Sequence, residues 1–383
     1  MRLKRLLVIF PILFCLLTAC GTLPQVLAQE RMFLDLSLEF LGEYQLPTKT
    51  SFKDTPVGGL SGITYDRQHD LFYAISDDRS RFAPARFYTL KIALQTTEQG
   101  KSTIKQVSVQ DVAPLTNDKG ETYPQGTIDS EGIALSPRKT LFISSEGDTE
   151  KNILPFIKEF DLQGKEQLSL KIPQRYLPDE SNPEQRGIRP NLGFEPLSIS
   201  ASGLAGDPFR LFTATEAALY QDATPNQPDE QRRVRFLHYV INPIGEPALI
   251  AEHLYLLDKP TDDVLANGLP ELIPLEKEGY FLTLERTFGL TGYGAKIFQV
   301  VNAGASDTSS FPSLKGSLGQ TQVLQKNLLL DLSKLGIYLD NLEGMTQGPR
   351  LPDGSETLLL VSDNNFDEQQ VTQFLLFKLV ISK

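Results

Sequence analysis

Residues 130–148 contain Ser130-Glu131-Gly132-Ile133 and, further on, Leu141-Phe142-Ile143-Ser144-Ser145-Glu146-Gly147-Asp148. A small or acidic residue leads a short apolar run, and a second run follows that ends in acidic side chains. The pattern recurs along the chain. Leu60-Ser61-Gly62-Ile63 precedes LFYAISDD, Phe194-Glu195-Pro196-Leu197 precedes LFTATE, Pro270-Glu271-Leu272-Ile273 precedes GYFLTLER, and Leu342-Glu343-Gly344-Met345 precedes LLLVSDNN. The lead residues Ser61, Glu131, Glu195, Glu271 and Glu343 stand 70, 64, 76 and 72 residues apart, which marks an internal repeat.

Each interval holds two further strand-like runs, such as RFYTLKI with IKQVSVQDVAPL, or RFLHYVIN with ALIAEHLYLLD. Four strands per repeat make a propeller blade. The last repeat has three before the chain ends, while the stretch LDLSLEFLGEYQLP at 34–47 is unassigned, so the N-terminal strand is expected to complete the last blade and close the ring. The fold class predicted is all-β, a single β-propeller of five four-stranded blades, with six blades as the alternative. A helical fold is excluded by the lack of any long period of 3.6, by 28 Gly and 25 Pro, and by short β-branched or aromatic apolar runs. Long Pro-, Asn-, Asp-, Gly- and Ser-containing loops are expected at 116–130, 178–194, 221–232 and 301–318.

Ahead of the repeats, Arg2, Lys4 and Arg5 precede an uncharged apolar run from Leu6 to Leu17, which is the pattern of an export signal. The run falls short of the about 20 residues that cross a bilayer. Leu17-Thr18-Ala19-Cys20 resembles a bacterial lipobox, which divides the chain into a signal peptide (1–19), an anchor and linker (20–33) and the propeller (34–383). Cys20 then carries lipid and Cys15 leaves with the signal, so no thiol remains for disulfides, metal binding or catalysis. The expected place is the cell envelope, lipid-anchored on a periplasmic or extracellular face. Without the signal, 34 basic residues face 48 acidic ones, a formal charge near −14. That balance excludes nucleic acid as a partner, and it repels anionic substrates unless a cation occupies the site. The propeller is expected to be a monomer.

The first strand of every propeller blade lines the axis, and the second runs back beside it. The start of one and the end of the other therefore share one face. This places Ser61, Glu131, Glu195, Glu271 and Glu343 in a ring, with Asp77, Asp78, Glu146, Asp148, Glu216, Glu285, Asp363 and Asn364 around it. Like charges so crowded must be protonated, paired or metal-bound. An oxygen-only donor set suits calcium, whereas His69, His238 and His253 are scattered and offer no zinc-like set. Arg79, Arg81, Arg189 and Arg286 fall at the same mouth, and guanidinium groups bind phosphate or carboxylate in bidentate fashion. The competing reading is structural, with the arginines merely neutralising acids that cap strand ends. No nucleophile elbow, Walker loop, full dinucleotide fingerprint or zincin motif occurs.

From about residue 40 onward the chain resembles the phytase-like family (esterase-like activity of phytase) through GGLSGITYD, SDD, DSEGIAL, SSEGD, RPNLGFEPLS, LERTFG, NLEGM and VSDNNF. Pro196 stands where that family places glycine. The resemblance implies hydrolysis of phosphate or other esters. A more distant likeness, to calcium-activated nucleotidases, implies a central calcium held by serine and glutamates beside an Asp-Asp-Arg segment, matching Ser61, Glu131, Glu195, Glu343 and Asp77-Asp78-Arg79; Glu271 fits by spacing only. The mechanism expected has calcium on Ser61, Glu131, Glu195, Glu271 and Glu343. Asp77 or Asp78 would activate water, Arg79 and Arg286 would hold phosphate, and Arg81, Arg189, Glu146, Glu216, Glu285, Asp363 and Asn364 would meet the substrate. Two alternatives stay open, a calcium-stabilised binding propeller without turnover and a lactonase-like esterase.

Overall fold

Alternating burial separates the strands of this chain into inner and outer ones. Inner strands such as Ser130–Leu135 and Phe194–Ser200 are short and largely covered on both faces; an outer strand such as β1 (Leu36–Gln45) exposes alternate residues to water. The computed structural model describes residues 32–381, except 98–99, 180, 183–184 and 201–203. The export signal, the lipobox and Cys20 lie outside the described residues. Asp35–Lys383 form one unit, and no helix among the described residues is long and apolar enough to cross a membrane.

After a two-residue hairpin, β2 (Ser51–Phe52) with β3 (Thr55–Pro56), blade 1 is β4 (Leu60–Asp66), β5 (Leu71–Ser76), β6 (Arg86–Thr96) and β7 (Ser102–Pro114). Blade 2 is β8 (Ser130–Leu135), β9 (Leu141–Ser145), β10 (Phe156–Phe160) and β11 (Glu166–Ser169). Blade 3 is β12 (Phe194–Ser200), β13 (Phe209–Thr215), β14 (Arg233–Ile241) and β15 (Ala248–Leu256). Blade 4 is β16 (Val264–Pro274), β17 (Tyr280–Gly289), β18 (Gly292–Val301) and β19 (Gln325–Asp331). Blade 5 takes β20 (Asn341–Gln347), β21 (Glu356–Asp363) and β22 (Gln373–Ile381) from the C-terminus and β1 from the N-terminus. The register of that closure runs from Leu36 opposite Ile381 to Gln45 opposite Gln373, so the ring has five blades and is closed by the N-terminal strand. The six-bladed alternative is excluded.

Apolar side chains fill the space between neighbouring blades rather than a single centre. Phe72, Tyr88 and Leu90 of blade 1 meet Leu359, Phe374 and Leu376 of blade 5, and Phe142 and Ile157 of blade 2 meet Phe209 and Leu211 of blade 3. Fully burying one such side chain stabilises by about 1.5–3 kcal/mol. These layers hold the inner strands β4, β8, β12, β16 and β20 around the axis with their first residues at one mouth. Two residues below each lead position come Ile63, Ile133, Leu197, Ile273 and Met345. With Thr64, Arg67, Ser198, Thr346 and Gln347 they line a cavity of about 190 Å³ further along the axis, so a ring of apolar side chains lies beneath the acidic mouth.

Glycine after the lead residue lets adjacent inner strands approach. A Cβ on Gly62 would sit 2.5 Å from the Glu131 carbonyl oxygen, and one on Gly132 would overlap that of Glu195. At the matching place in blade 3, Pro196 lies in a β-bulge between Phe194 and Leu197, where a missing N–H leaves no gap in the ladder.

Candidate functional site

Four of the five blades carry a register shift at the lead residue: between Leu60 and Gly62, Ser130 and Ile133, Phe194 and Leu197, and Leu342 and Gly344. Such bulges re-aim a side chain, and Glu131, Glu195 and Glu343 are brought to the mouth, only 7%, 7% and 8% exposed. Ser61 belongs to the same level, but its Oγ donates to the Glu131 carbonyl at 3.0 Å and ties blade 1 to blade 2. The ends of the second strands add Asp77, Glu146, Glu216 and Asp363. Carboxylate oxygens of Asp77, Asp129 and Glu131 lie within 4.8 Å of one another, as do those of Glu146, Glu195 and Glu216.

Blade 4 departs from this pattern. Its register shift falls between Gly268 and Glu271, ahead of the lead residue rather than on it, and Glu271 pairs regularly with Leu284. A one-residue change of register exchanges the faces of a strand. Glu271 therefore accepts backbone N–H groups of Leu197 at 3.2 Å and Leu272 at 2.9 Å within the channel wall, and does not join the other glutamates. On the partner strand Glu285 turns away from the mouth. It accepts from Tyr255 Oη at 2.5 Å and from the Asp258 N–H at 2.6 Å, and pairs with Lys326. Arg286 takes its place at the mouth.

Arg286 sends Nη2 to Glu216 and Nη1 to Glu343, both at 2.7 Å, and also bonds Asn341. Arg79, with backbone φ of 49°, turns its Nε to Asp129 at 2.5 Å, with Asp77 at 3.6 Å and Asn191 Oδ1 at 2.5 Å from Nη2. Two guanidinium groups thus face eight carboxylates: Asp77, Asp129, Glu131, Glu146, Glu195, Glu216, Glu343 and Asp363. At an effective dielectric near 20, each pair of like charges within about 5 Å costs about 3 kcal/mol. Burial first, and then the neighbouring acids, push the carboxyls of Asp129, Glu131, Glu146, Glu195 and Asp363 well above the usual carboxylate range. Burial raises Glu343 to about 7 against the pull of Arg286. Burial also raises Asp77, against Arg79. Glu195 Oε2 is buried without a hydrogen-bond partner.

Several residues expected at the mouth do other work. Asp78, next to Asp77 but on the opposite side of the strand end, accepts the N–H groups of Phe82 at 2.8 Å and Ala83 at 3.0 Å and pairs with buried Arg86. It fixes the 79–86 loop and does not reach the acids. Arg81 lies over the Phe82 ring. Arg189 donates to the Ala218 carbonyl at 2.8 Å and to Gln231 at 2.9 Å. Asn364 Oδ1 accepts the Gly59 N–H at 2.9 Å, bracing the rim between blades 5 and 1. Asp148 caps a 3₁₀ turn at 149–151. His69 bonds Asp66 at the turn after β4, and His238 and His253 lie on β14 and β15, away from the mouth. Asp129 and Asn341, which sequence reasoning passed over, each stand two residues ahead of a lead glutamate. That repeated offset was the signal available.

Comparison with known proteins agrees with this picture at the level of family. The model of the Phytase-like family, described as esterase-like activity of phytase, matches residues 55–366. No curated protein sequence matches. Among solved structures, the catalytic domain of a Coprinopsis cinerea GH62 alpha-L-arabinofuranosidase is 8% identical at a TM-score of 0.39, covering 89% of this chain and 97% of its own. A Penicillium chrysogenum alpha-L-arabinanase complexed with arabinobiose is 11% identical at a TM-score of 0.41, covering 84% and 80%. Likeness this low says nothing of chemistry.

Proposed function

This chain belongs to the phytase-like family, and from the chemistry of its mouth we propose that it hydrolyses an ester, a phosphoester foremost, with calcium held among the buried carboxylates. The observation that carries the reading is Glu195: one of its oxygens is buried and unpartnered beside Glu146 and Glu216, where charge repulsion is already high. The donor set is all oxygen, crowded and short of cations, which fits calcium's demand for about 6–8 oxygen ligands. Glu131, Glu195 and Glu343 would hold the ion, with Asp77, Asp129, Glu146 and Glu216 in reach. Bound there, calcium would polarise a substrate oxygen and offset the acids.

The chain's own groups supply the rest. Asp77, whose carboxyl burial raises above the usual carboxylate range and which lies close to Arg79, orients the attacking water and takes its proton. The water oxygen bonds to phosphorus as the bond to the ester oxygen breaks; that oxygen leaves with the electron pair as an alkoxide and takes a proton from solvent to become the alcohol. Arg286 and Arg79 stabilise the charge that develops on the phosphoryl oxygens. The engagement of both arginines by carboxylates favours a second reading, a calcium-stabilised binding platform without turnover. We also place the protein at the cell envelope through lipid on Cys20; a Cys20→Ser chain that still partitions with membranes would contradict this.

Purified protein assayed with p-nitrophenyl phosphate, a nucleoside diphosphate, phytate and a carboxylic ester, with and without calcium, separates the readings. Calcium-dependent phosphate release supports the proposal, ester turnover alone favours a lactonase-like enzyme, and no turnover leaves the binding platform. Replacing Glu131 and Glu343 together by alanine should abolish both calcium binding and activity.

A further inference from the structure

Blade 4 reaches further at the mouth than its neighbours. The β16–β17 pairing continues past Arg286 to Val264 opposite Gly289, whereas the inner hairpins of blades 3 and 5 end with Phe194 opposite Thr215 and Asn341 opposite Asp363. In β17 the side chains of Arg286 and Phe288 are two residues apart and share a face. Phe288 stands opposite Tyr293 of β18, their ring centres 5.0 Å apart at 47°. The Tyr293 hydroxyl accepts from Gln370 Nε2 at 3.4 Å, which ties the ring to blade 5. Between this aromatic pair, Asn267, Arg286 and Glu216 lies a cavity of about 180 Å³. Phe288 is 43% exposed.

The cavity falls below the about 300–1,000 Å³ that enclose a drug-sized ligand, so it admits a single ring rather than a whole molecule. Its charge is equally restrictive. Arg286 is its one cationic lining residue among those described, and the wider mouth is acidic, so a ligand carrying several phosphates has no matching cluster of cations. We propose that Phe288 and Tyr293 form a specificity-determining shelf that stacks the planar aromatic group of an aryl monoester, whose single anionic head meets Arg286. Aryl phosphomonoesters are then preferred over polyphosphorylated polyols. This rests on the ester-hydrolase reading above.

The full chain is assayed in calcium with phenyl phosphate, glycerol 1-phosphate and phytate, as wild type, Phe288→Ala, Tyr293→Ala and Leu290→Ala, the last a 79% exposed residue of the same tip outside the cavity. The expected result is a wild-type kcat/KM preference for phenyl phosphate that falls about fivefold to tenfold, through KM, in the two shelf variants and persists in Leu290→Ala. An unchanged preference in both shelf variants, or a wild-type preference for phytate, overturns the shelf. Equilibrium binding of phenyl phosphate separates this from failure of the hydrolase reading. If no ester turns over, weaker binding in Phe288→Ala than in wild type still supports the shelf, and equal binding refutes it.

Discussion

The Nη2 of Arg286 on blade 4 donates to the Glu216 carboxylate of blade 3 at 2.7 Å, across a blade boundary. The same guanidinium reaches Glu343 of blade 5, so one cation stitches three blades, while Arg79 of blade 1 pairs with Asp129 and Asp77 on the other side of the mouth. Removing one partner of a buried ion pair costs about 3–5 kcal/mol because the other charge is left uncompensated. Arg286→Ala should therefore lower the calcium-free melting temperature sharply, and Glu216→Gln in the same chain should restore much of the loss. A double-mutant cycle by thermal unfolding reads the coupling; additive losses would mean the pair contributes little.

Gly268 explains how Glu216 can lie so close to the blade 4 backbone. A Cβ at this position would overlap the Glu216 carboxylate. Gly268→Ala should displace that carboxylate from Arg286 and weaken calcium binding about tenfold, on the scale of lost outer-shell support for metal ligands. Calorimetric titration with calcium checks it.

Adjacent acids should behave oppositely. Asp78 anchors buried Arg86 and the loop that follows, so Asp78→Asn should cost about 3–5 kcal/mol of stability. Asp77 sits among repelling carboxylates, so Asp77→Asn should abolish activity while leaving the melting temperature equal or higher. Thermal unfolding and phosphate release measured on both variants distinguish the two roles.

Stability of the calcium-free protein should fall as pH rises. A carboxyl whose pKa is raised by folding holds more protons folded than unfolded. Its contribution is complete below its ordinary value near 4.5 and is lost as pH passes the folded value, about 7 for Glu343. Titrating alone, that group accounts for on the order of 3 kcal/mol. Melting temperatures between pH 5 and pH 8 should decline without calcium and stay nearly level with it. A rise with pH in the calcium-free protein would contradict the raised values.

The repeat was legible because the lead residue, the apolar run and the acidic strand end recur at blade spacing, and the same regularity placed Glu131, Glu195 and Glu343 correctly at the mouth. It failed at Glu271 and Glu285, where the bulge in β16 is displaced by backbone pairing that Pro-Glu-Leu-Ile does not announce. Asp78 and Asp77 are neighbours in sequence but face opposite ways, because the chain turns at Arg79 and Ser80, both with positive φ. The partners of Arg189 and Asn364 come from distant segments, which no local pattern could supply.

The central claim is that buried acids of different blades jointly hold one kind of cation. Calcium titration by calorimetry of the wild-type protein and Glu195→Gln tests it most directly. The account predicts saturable binding in the wild type that weakens at least about tenfold when the unpartnered carboxylate becomes an amide, which cannot carry the charge calcium requires. Binding of equal strength in both proteins, or none in either, would contradict it.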